Sequence, residues 1–304
     1  MILRLTLAAL AFAATLATPL RAEIAIQEVT SPGGIKAWLV EDHNIPFMAL
    51  EIRFRGGTSL DQPGKRGAVN LMAATLEEGA GDLDAQGFAA ARDGLAAQIG
   101  FGANSDEVSV SVQALSENRA AAMDLLRLAL TEPRFDETAL DRVRGQVLAG
   151  LRADEQDPSA IAGRVFSARA YGDHHYGSSG DGTIDSVTAL GRDDIVAAWQ
   201  GTMALDRIYV AAAGDITAEE LGLLLDKLFA GLPDTGWPMP PKATWNDAGG
   251  ISMAMIRARA RRWRADPVAF ARENFAIEPD VWQVEALRAL KPTGVNRLCM
   301  KACA

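Results

Sequence analysis

Few side chains in this sequence combine the types and spacing that chemistry requires. His174 and His175 are adjacent imidazoles, but no carboxylate or cysteine stands at metal-ligand spacing from them, which favours loop packing. Glu77 and Glu78 are paired carboxylates of the kind used in acid–base catalysis, yet they close a predicted helix, where charged residues usually face solvent. His43 lies in a polar turn and is expected to be exposed. No Gly-x-Ser-x-Gly turn occurs, so a serine hydrolase is not indicated.

The composition is that of a globular protein. The chain has 304 residues, 49% hydrophobic and 23% charged, with a formal net charge of -9. The charge is uneven, because residues 250–304 carry ten Lys or Arg and five Asp or Glu, whereas residues 1–249 carry 20 and 34. Both cysteines, Cys299 and Cys303, lie in the basic segment. The main body therefore gives no indication of nucleic-acid binding, and the last segment differs from it in origin or environment.

The first 22 residues have the pattern of a secretory signal peptide. Arg4 supplies a positive charge, Leu5–Ala17 is apolar, and Ala22 is the small residue expected at the cleavage site. The apolar stretch is too short to cross a bilayer comfortably, and no later segment has the pattern of a membrane span. The sequence therefore predicts a periplasmic protein with no membrane span in the mature chain. A short membrane anchor is the alternative interpretation.

Strands are predicted first, then helices, then a strand and helix again. Period-two alternation, as in Val108–Leu115, predicts strands, whereas apolar spacing of three and four, as in Val69–Leu76, predicts helices. Asp84 and Thr217 are predicted N-caps. This order predicts an α+β fold, with helices packed on one face of an antiparallel sheet. The expected strands are 23–29, 35–40, 47–54, 100–104, 108–115 and 207–213, and the expected helices are 66–78, 84–99, 117–131, 136–153, 158–171, 192–203 and 218–229.

After three predicted strands and a Gly-Gly-Thr-Ser loop, the sequence reads Gly67-Ala68-Val69-Asn70-Leu71-Met72-Ala73-Ala74-Thr75-Leu76-Glu77-Glu78-Gly79-Ala80. This segment resembles the start of the pitrilysin/insulinase-type peptidase family. In that family this helix carries His-x-x-Glu-His, in which two imidazoles bind zinc and the glutamate is the general base. The matching positions here are Asn70, Ala73 and Ala74. The resemblance therefore implies a zinc-free member that does not hydrolyse peptides and has no catalytic residue, metal ligand or cofactor.

Later segments continue the resemblance over residues 23–249. The family's third zinc ligand, a glutamate, corresponds to the region Leu148–Leu151, which has no carboxylate; Asp154 and Glu155 follow about one turn later. Tyr171–Gly177 with Gly182-Thr183 is similar to the family's HPYG…GT loop. Ala211–Asp215 followed by Ile216–Leu221 is similar to its VVGD…EEL step.

The resemblance implies a binding role rather than catalysis. Zinc-free members of this family occur as partner subunits of a zinc-bearing sister, so the expected function is a partner subunit or a peptide-binding scaffold. An edge strand of the family takes up peptide through main-chain groups, which need no metal. That strand corresponds here to Gly100, Phe101, Gly102, Ala103 and Asn104. An ordinary strand, in which the glycines allow close packing, is the alternative interpretation.

The segment after about residue 253 resembles a different family. Ile277–Leu287, with Pro279, Trp282 and Gln283, resembles the lead-in of phage terminase large subunits, the ATPases that package DNA. No Gly-x-x-x-x-Gly-Lys-Ser/Thr follows, so ATP hydrolysis is not expected. The segment is interpreted as an unrelated basic tail, joined to the main body by a fusion or frame artefact near residues 250–255. The alternatives are a basic amphipathic helix that binds membrane or nucleic acid, a truncated fusion product with no function, or a DNA-packaging ATPase fragment.

The predicted division of the chain has four parts. Residues 1–22 form the signal peptide, 23–160 one complete α+β domain, 161–249 an incomplete second domain of the same kind, and 250–304 the basic tail.

Overall fold

The computed structural model describes residues 25–244 together with residues 261, 262, 265, 266, 268, 269 and 272. Within the described residues, 25–168 and 173–243 form one compact unit, and 169–172 group with the residues from Thr244 onward in a second. In the second unit Val268 and Ala269 are buried, and their amides donate to Asp266 Oδ1 over 3.1 and 3.2 Å. The predicted signal peptide and most of the predicted tail lie outside the described residues.

The strands of the first unit are β1 Gln27–Thr30, β2 Lys36–Glu41, β3 Phe47–Arg55, β4 Gly79–Ala80, β5 Leu83–Asp84, β6 Gln98–Ala103, β7 Glu107–Leu115 and β8 Ile208–Gly214. Six of them form one sheet, in the order β1-β2-β8-β3-β7-β6. All neighbouring pairs in this sheet are antiparallel except β2 and β8, which are parallel. A separate two-stranded ribbon consists of β4 and β5.

The helices cover one face of this sheet. Alternate residues of β3, such as Leu50 and Ile52, are fully buried beneath them, as are Val108 and Val110 of β7. The opposite face is open in the described part of the chain, and Trp38 is 48% exposed on it. The helices are α1 Ala68–Thr75, α2 Ala85–Gly94, α3 Arg119–Thr131, α4 Glu137–Asp154, α5 Pro158–Tyr171, α6 Ile184–Thr188, α7 Arg192–Thr202 and α8 Ala218–Phe229.

The predicted fold class, α+β with an antiparallel sheet and helices on one face, is confirmed. The predicted N-caps also form: Asp84 accepts from the Gly87 amide at 2.8 Å, and Thr217 forms a capping box with Glu220. The predicted helix 84–99 ends early, at Gly94, because Ala96 adopts a left-handed φ of 49° and turns the chain into β6.

The predicted boundary between residues 160 and 161 is corrected by the structure. Strand β8, which was expected to belong to an incomplete second domain, lies inside the first sheet between β2 and β3. Residues 173–243 therefore complete the first domain. The physical reason is that β3 and β2 leave their inner edges unpaired, and β8 satisfies the main-chain hydrogen bonds of both.

Among the described residues, no helix combines the length and apolar character that a bilayer-crossing segment needs.

Candidate functional site

Helix α1 carries the three motif positions and lies at the centre of the domain. It packs against α7, α4 and the edge strand β6. The left-handed φ of 95° at Gly67 turns the chain into the helix, and a Cβ there would lie 2.8 Å from the Asp181 carbonyl oxygen. A glycine is therefore required where the helix begins.

Asp61 caps the amino end of α1 from a distance along the chain. Its Oδ1 accepts from the Val69 amide at 2.9 Å, and its Oδ2 accepts from the Gly67 amide at 2.8 Å. The Arg66 guanidinium lies 3.2 Å from the same carboxylate. Burial raises the pKa of Asp61 above its ordinary value, although the two amides and Arg66 act to lower it. This buried carboxylate therefore satisfies main-chain donors that the first turn of α1 leaves unpaired.

Arg66 connects α1 to the glycine-rich loop that follows α5. One guanidinium nitrogen donates to the carbonyls of His175 and Ser178, each at 2.9 Å, and another donates to the Thr58 carbonyl. The Ser186 hydroxyl in turn donates to the Arg66 carbonyl at 2.8 Å. Burial lowers the pKa of Arg66, while Asp61 acts to raise it. Asp61 and Arg66 thus fix the position of α1 relative to the loops around it, a role that the sequence did not indicate.

The three motif positions offer no zinc site. Asn70 and Ala74 are half-buried and four residues apart on α1, so they share a face, and Ala73 is 1% exposed. Alanine has no donor atom, and a single amide oxygen cannot replace two imidazoles and a carboxylate. In the described part of the chain, no group of three or more His, Cys, Asp or Glu is arranged to hold a metal ion. The residues present therefore do not fit the zinc that the family carries.

The region of the third family ligand lies on α4, which contacts α1. Leu151 is buried there and Gly150 is exposed, and neither offers a ligand atom. Asp154 ends the helix and Glu155 follows it, both exposed. The α4 side of the site therefore lacks a carboxylate at the expected position.

The remaining candidate residues are held in structural contacts. Glu77 pairs with Arg92 at 3.1 Å, and Glu78 pairs with Arg142. His174 accepts the Tyr176 amide proton on Nδ1 at 3.1 Å and lies 3.0 Å from the Pro241 carbonyl through Nε2. A neutral imidazole with its proton on Nε2 satisfies both contacts and leaves no lone pair for a metal.

His43 is half-exposed in the turn between β2 and β3, where it bridges two carboxylates. Its Nδ1 lies 2.6 Å from Asp215 and its Nε2 lies 2.8 Å from Glu41. Hydrogen bonds to Asp215 and then to Glu41 raise the pKa of His43. Burial, followed by the charge of Arg66 and the neighbouring His174 ring, lowers the pKa of His175.

Strand β6, with the five residues predicted to bind peptide, lies at one end of the sheet. Gly100, Phe101, Gly102 and Ala103 belong to the strand, and Asn104 follows it in the turn to β7. Within the described residues β7 is the sole strand paired with β6, so its outer main-chain groups are unpaired. The structure thus places these residues on an edge strand beside α1; peptide binding by them stays a prediction.

The tip of the β6–β7 hairpin is held from one side. The amide of Thr58 donates to the Asn104 carbonyl at 2.8 Å, and the amide of Ser59 donates to the Ser105 carbonyl at 3.1 Å. Gly57 has a φ of 46°, and a Cβ there would collide with the Asn104 carbonyl oxygen. The Gly-Gly-Thr-Ser loop therefore fixes the end of β6 while leaving its outer edge uncovered.

No family model matches this sequence. The chain is 26% identical over 180 residues to the non-peptidase homolog YmxG of Helicobacter pylori, covering 59% of this chain and 42% of the relative. It is 23% identical over 191 residues to an uncharacterized zinc protease of Streptomyces coelicolor, covering 63% of this chain and 42% of that relative. Among solved structures, the peptidase M16 inactive domain from Pseudomonas fluorescens matches with a TM-score of 0.68 and 27% identity, covering 71% of this chain and 53% of that one.

The fold and the altered motif helix define the chain as a homologue of the pitrilysin/insulinase-type (M16) peptidases without the zinc motif. Within that class it is similar to relatives described as a non-peptidase homolog and as an inactive domain. The predicted recognition of a non-catalytic homologue is confirmed by these relatives. The chain spans about half the length of the relatives it matches: 42% of the Helicobacter pylori homolog and 53% of the Pseudomonas fluorescens domain.

We expect Asp61→Ala to destabilise the domain by about 3–5 kcal/mol, because it leaves the buried Arg66 and two amides of α1 without their partner. Urea unfolding followed by circular dichroism measures the loss. Asp93→Ala is the matched control, since the Asp93 side chain is 72% exposed and its removal is expected to cost less than about 0.5 kcal/mol. Equal unfolding midpoints for the two variants would refute the capping role.

We expect the pKa values of the two perturbed histidines to differ from the ordinary value of 6.5 in opposite directions, with the pKa of His43 above it and the pKa of His175 below it. His43 then contributes stability that is fully present below pH 6.5 and is lost as the pH rises through its folded pKa. His175 contributes stability that is present above pH 6.5 and is lost as the pH falls through its folded pKa. NMR titration of the imidazole protons, assigned with His43→Gln and His175→Gln, measures both values. A His43 pKa at or below that of His175 would contradict the described contacts.

Proposed function

We propose that this chain is a non-catalytic partner subunit, or peptide-binding scaffold, for a zinc-bearing peptidase of the same family, and that it acts in the periplasm. The observation that carries the proposal is the edge of β6, which no other described strand pairs with, beside a helix whose motif positions offer a single amide oxygen. Similarity to a non-peptidase homolog and to an inactive M16 domain supports the non-catalytic part. The signal-like segment 1–22 supports the location.

The register of β6 and β7 decides which groups of the edge are available. The Asn104 amide donates to the Glu107 carbonyl at 2.9 Å, so Asn104 and Glu107 form a hydrogen-bonded pair. Such pairs alternate along antiparallel strands, and Ala103 is opposite Val108. The main-chain groups of Ala103, Phe101 and Ile99 therefore point away from β7, toward the free edge.

An extended peptide fits this edge as an added strand. Its main chain would exchange hydrogen bonds with Phe101 and Ala103, and main-chain recognition tolerates many side chains. On the open face, Gly100 and Gly102 carry no side chain, and a Cβ at either position would lie 3.1 Å from the hydroxyl oxygen of its cross-strand neighbour, Ser111 or Ser109. A binding role of this kind is independent of the missing zinc ligands.

We expect Ala103→Pro to weaken binding of short unstructured peptides about tenfold, because it removes an outward amide and adds a ring at the edge. The fold is expected to survive, since this amide has no partner in β7. Ala103→Ser keeps the amide and is the control for the side chain. Fluorescence anisotropy with labelled peptides gives the affinities, and thermal melts check folding. Equal affinities for the proline and serine variants would contradict binding at β6.

We expect the purified chain to contain no stoichiometric zinc and to show no chelator-sensitive peptide cleavage, because the motif positions of α1 offer one amide oxygen in place of two imidazoles and a carboxylate. Affinity purification from the source organism is expected to recover a peptidase of the same family that carries His-x-x-Glu-His, identified by mass spectrometry. Elemental analysis and a peptidase assay, with that sister protein as the positive control, complete the test. Stoichiometric zinc together with chelator-sensitive cleavage by this chain alone would overturn the proposal.

A further inference from the structure

The two edges of the sheet are protected to different extents. Strand β1 is short, with four residues, and carries Glu28, and both properties discourage pairing with another chain. Strand β6, Gln98–Ala103, has six residues and contains no charged residue and no proline. It has none of the side chains by which proteins usually prevent edge-to-edge association.

The sequence of β6 is close to symmetrical about Phe101. The order Ile99-Gly100-Phe101-Gly102-Ala103 places a glycine on each side of the ring and an apolar residue beyond each glycine. The outward-facing residues, 99, 101 and 103, are also symmetrical about position 101. An antiparallel second copy centred on Phe101 would therefore oppose Ile99 to Ala103, Phe101 to Phe101, and Gly100 to Gly102.

This register is the one that uses every outward group. All three outward residues then face outward residues of the other copy, and each such pair can exchange two hydrogen bonds. A two-fold axis at Gly100 or Gly102 would pair only two of the three. The register is isologous, as a closed dimer requires.

The side chains near this axis allow the strands to approach. On the open face, the residues around the axis are Gly100 and Gly102, with Ser109 and Ser111 behind them on β7. Phe101 lies on the helix face, half-buried and packed against the core. No charge on β6 opposes a like charge in the second copy.

We propose that a second copy of this chain pairs antiparallel with β6 about a two-fold axis at Phe101, forming a dimer with one continuous sheet. The dimer covers the edge to which peptide binding was assigned above, so dimerisation and peptide binding exclude each other. The inference depends on the self-complementary edge and does not require that the edge binds peptides.

Sedimentation of the purified full chain over a range of concentrations tests the dimer. The expected result is a concentration-dependent doubling of mass, retained in Ala103→Ser and lost in Ala103→Pro. A chain that stays monomeric at every concentration would overturn the proposal, and so would a dimer that Ala103→Pro leaves unchanged. Binding of labelled peptide is measured on the same samples. A monomer that binds peptide removes the dimer alone. A chain that dimerises, but binds no peptide at dilutions where it is monomeric, removes only the scaffold function.

Cysteine cross-linking tests the register in a chain with Cys299→Ser and Cys303→Ser. In a hydrogen-bonded pair the two Cα atoms of position 101 would be about 5.5 Å apart, within the range for a disulfide. Position 103 would face position 99, so its two copies would be too far apart. Phe101→Cys is expected to form a covalent dimer on oxidation, and Ala103→Cys is not. Cross-linking of Ala103→Cys as readily as Phe101→Cys would reject the axis at Phe101.

Discussion

The buried pair of Asp61 and Arg66 is the contact on which the arrangement of this domain depends. The Asp61 carboxylate caps the amino end of α1 and pairs with the Arg66 guanidinium, which donates to two carbonyls of the loop after α5. Both side chains are largely removed from water, so each requires the other for compensation. The motif helix, the loop after α5 and the Gly-Gly-Thr-Ser loop thereby meet at one point, and the last of these holds the hairpin that ends β6.

This contact explains how the fold persists without the zinc of the peptidases that it resembles. The position of α1 is fixed at its amino end by Asp61 and along its length by buried apolar residues such as Leu71 and Met72. The zinc positions lie on the same helix and contribute to the core only the methyl groups of Ala73, which is buried, and Ala74, which is partly buried. Catalytic residues and supporting residues are thus separate sets, so the first can be lost while the second still present an edge strand beside α1.

The sequence allowed most elements to be predicted, because periodicity is a local property. Alternation in Val108–Leu115 and spacing of three and four in Val69–Leu76 correspond to β7 and α1. The position of β8 could not be predicted in this way, since its pairing with β2 and β3 depends on contacts distant in sequence. Asp61 was missed for a similar reason: it caps a helix that begins seven residues later, outside the usual N-cap position. The absence of zinc ligands was visible because it depends only on residue types.

The position of β8 also affects how the domain can assemble. A strand synthesised late in the chain occupies the middle of the sheet, between two hairpin-forming regions made much earlier. Until it arrives, β2 and β3 cannot complete their hydrogen bonding, and the apolar residues beneath them lack a cover. High contact order of this kind slows folding and prolongs the lifetime of aggregation-prone intermediates. A ribosome-bound chain ending before Ile208 would therefore be the form of this protein most dependent on chaperones.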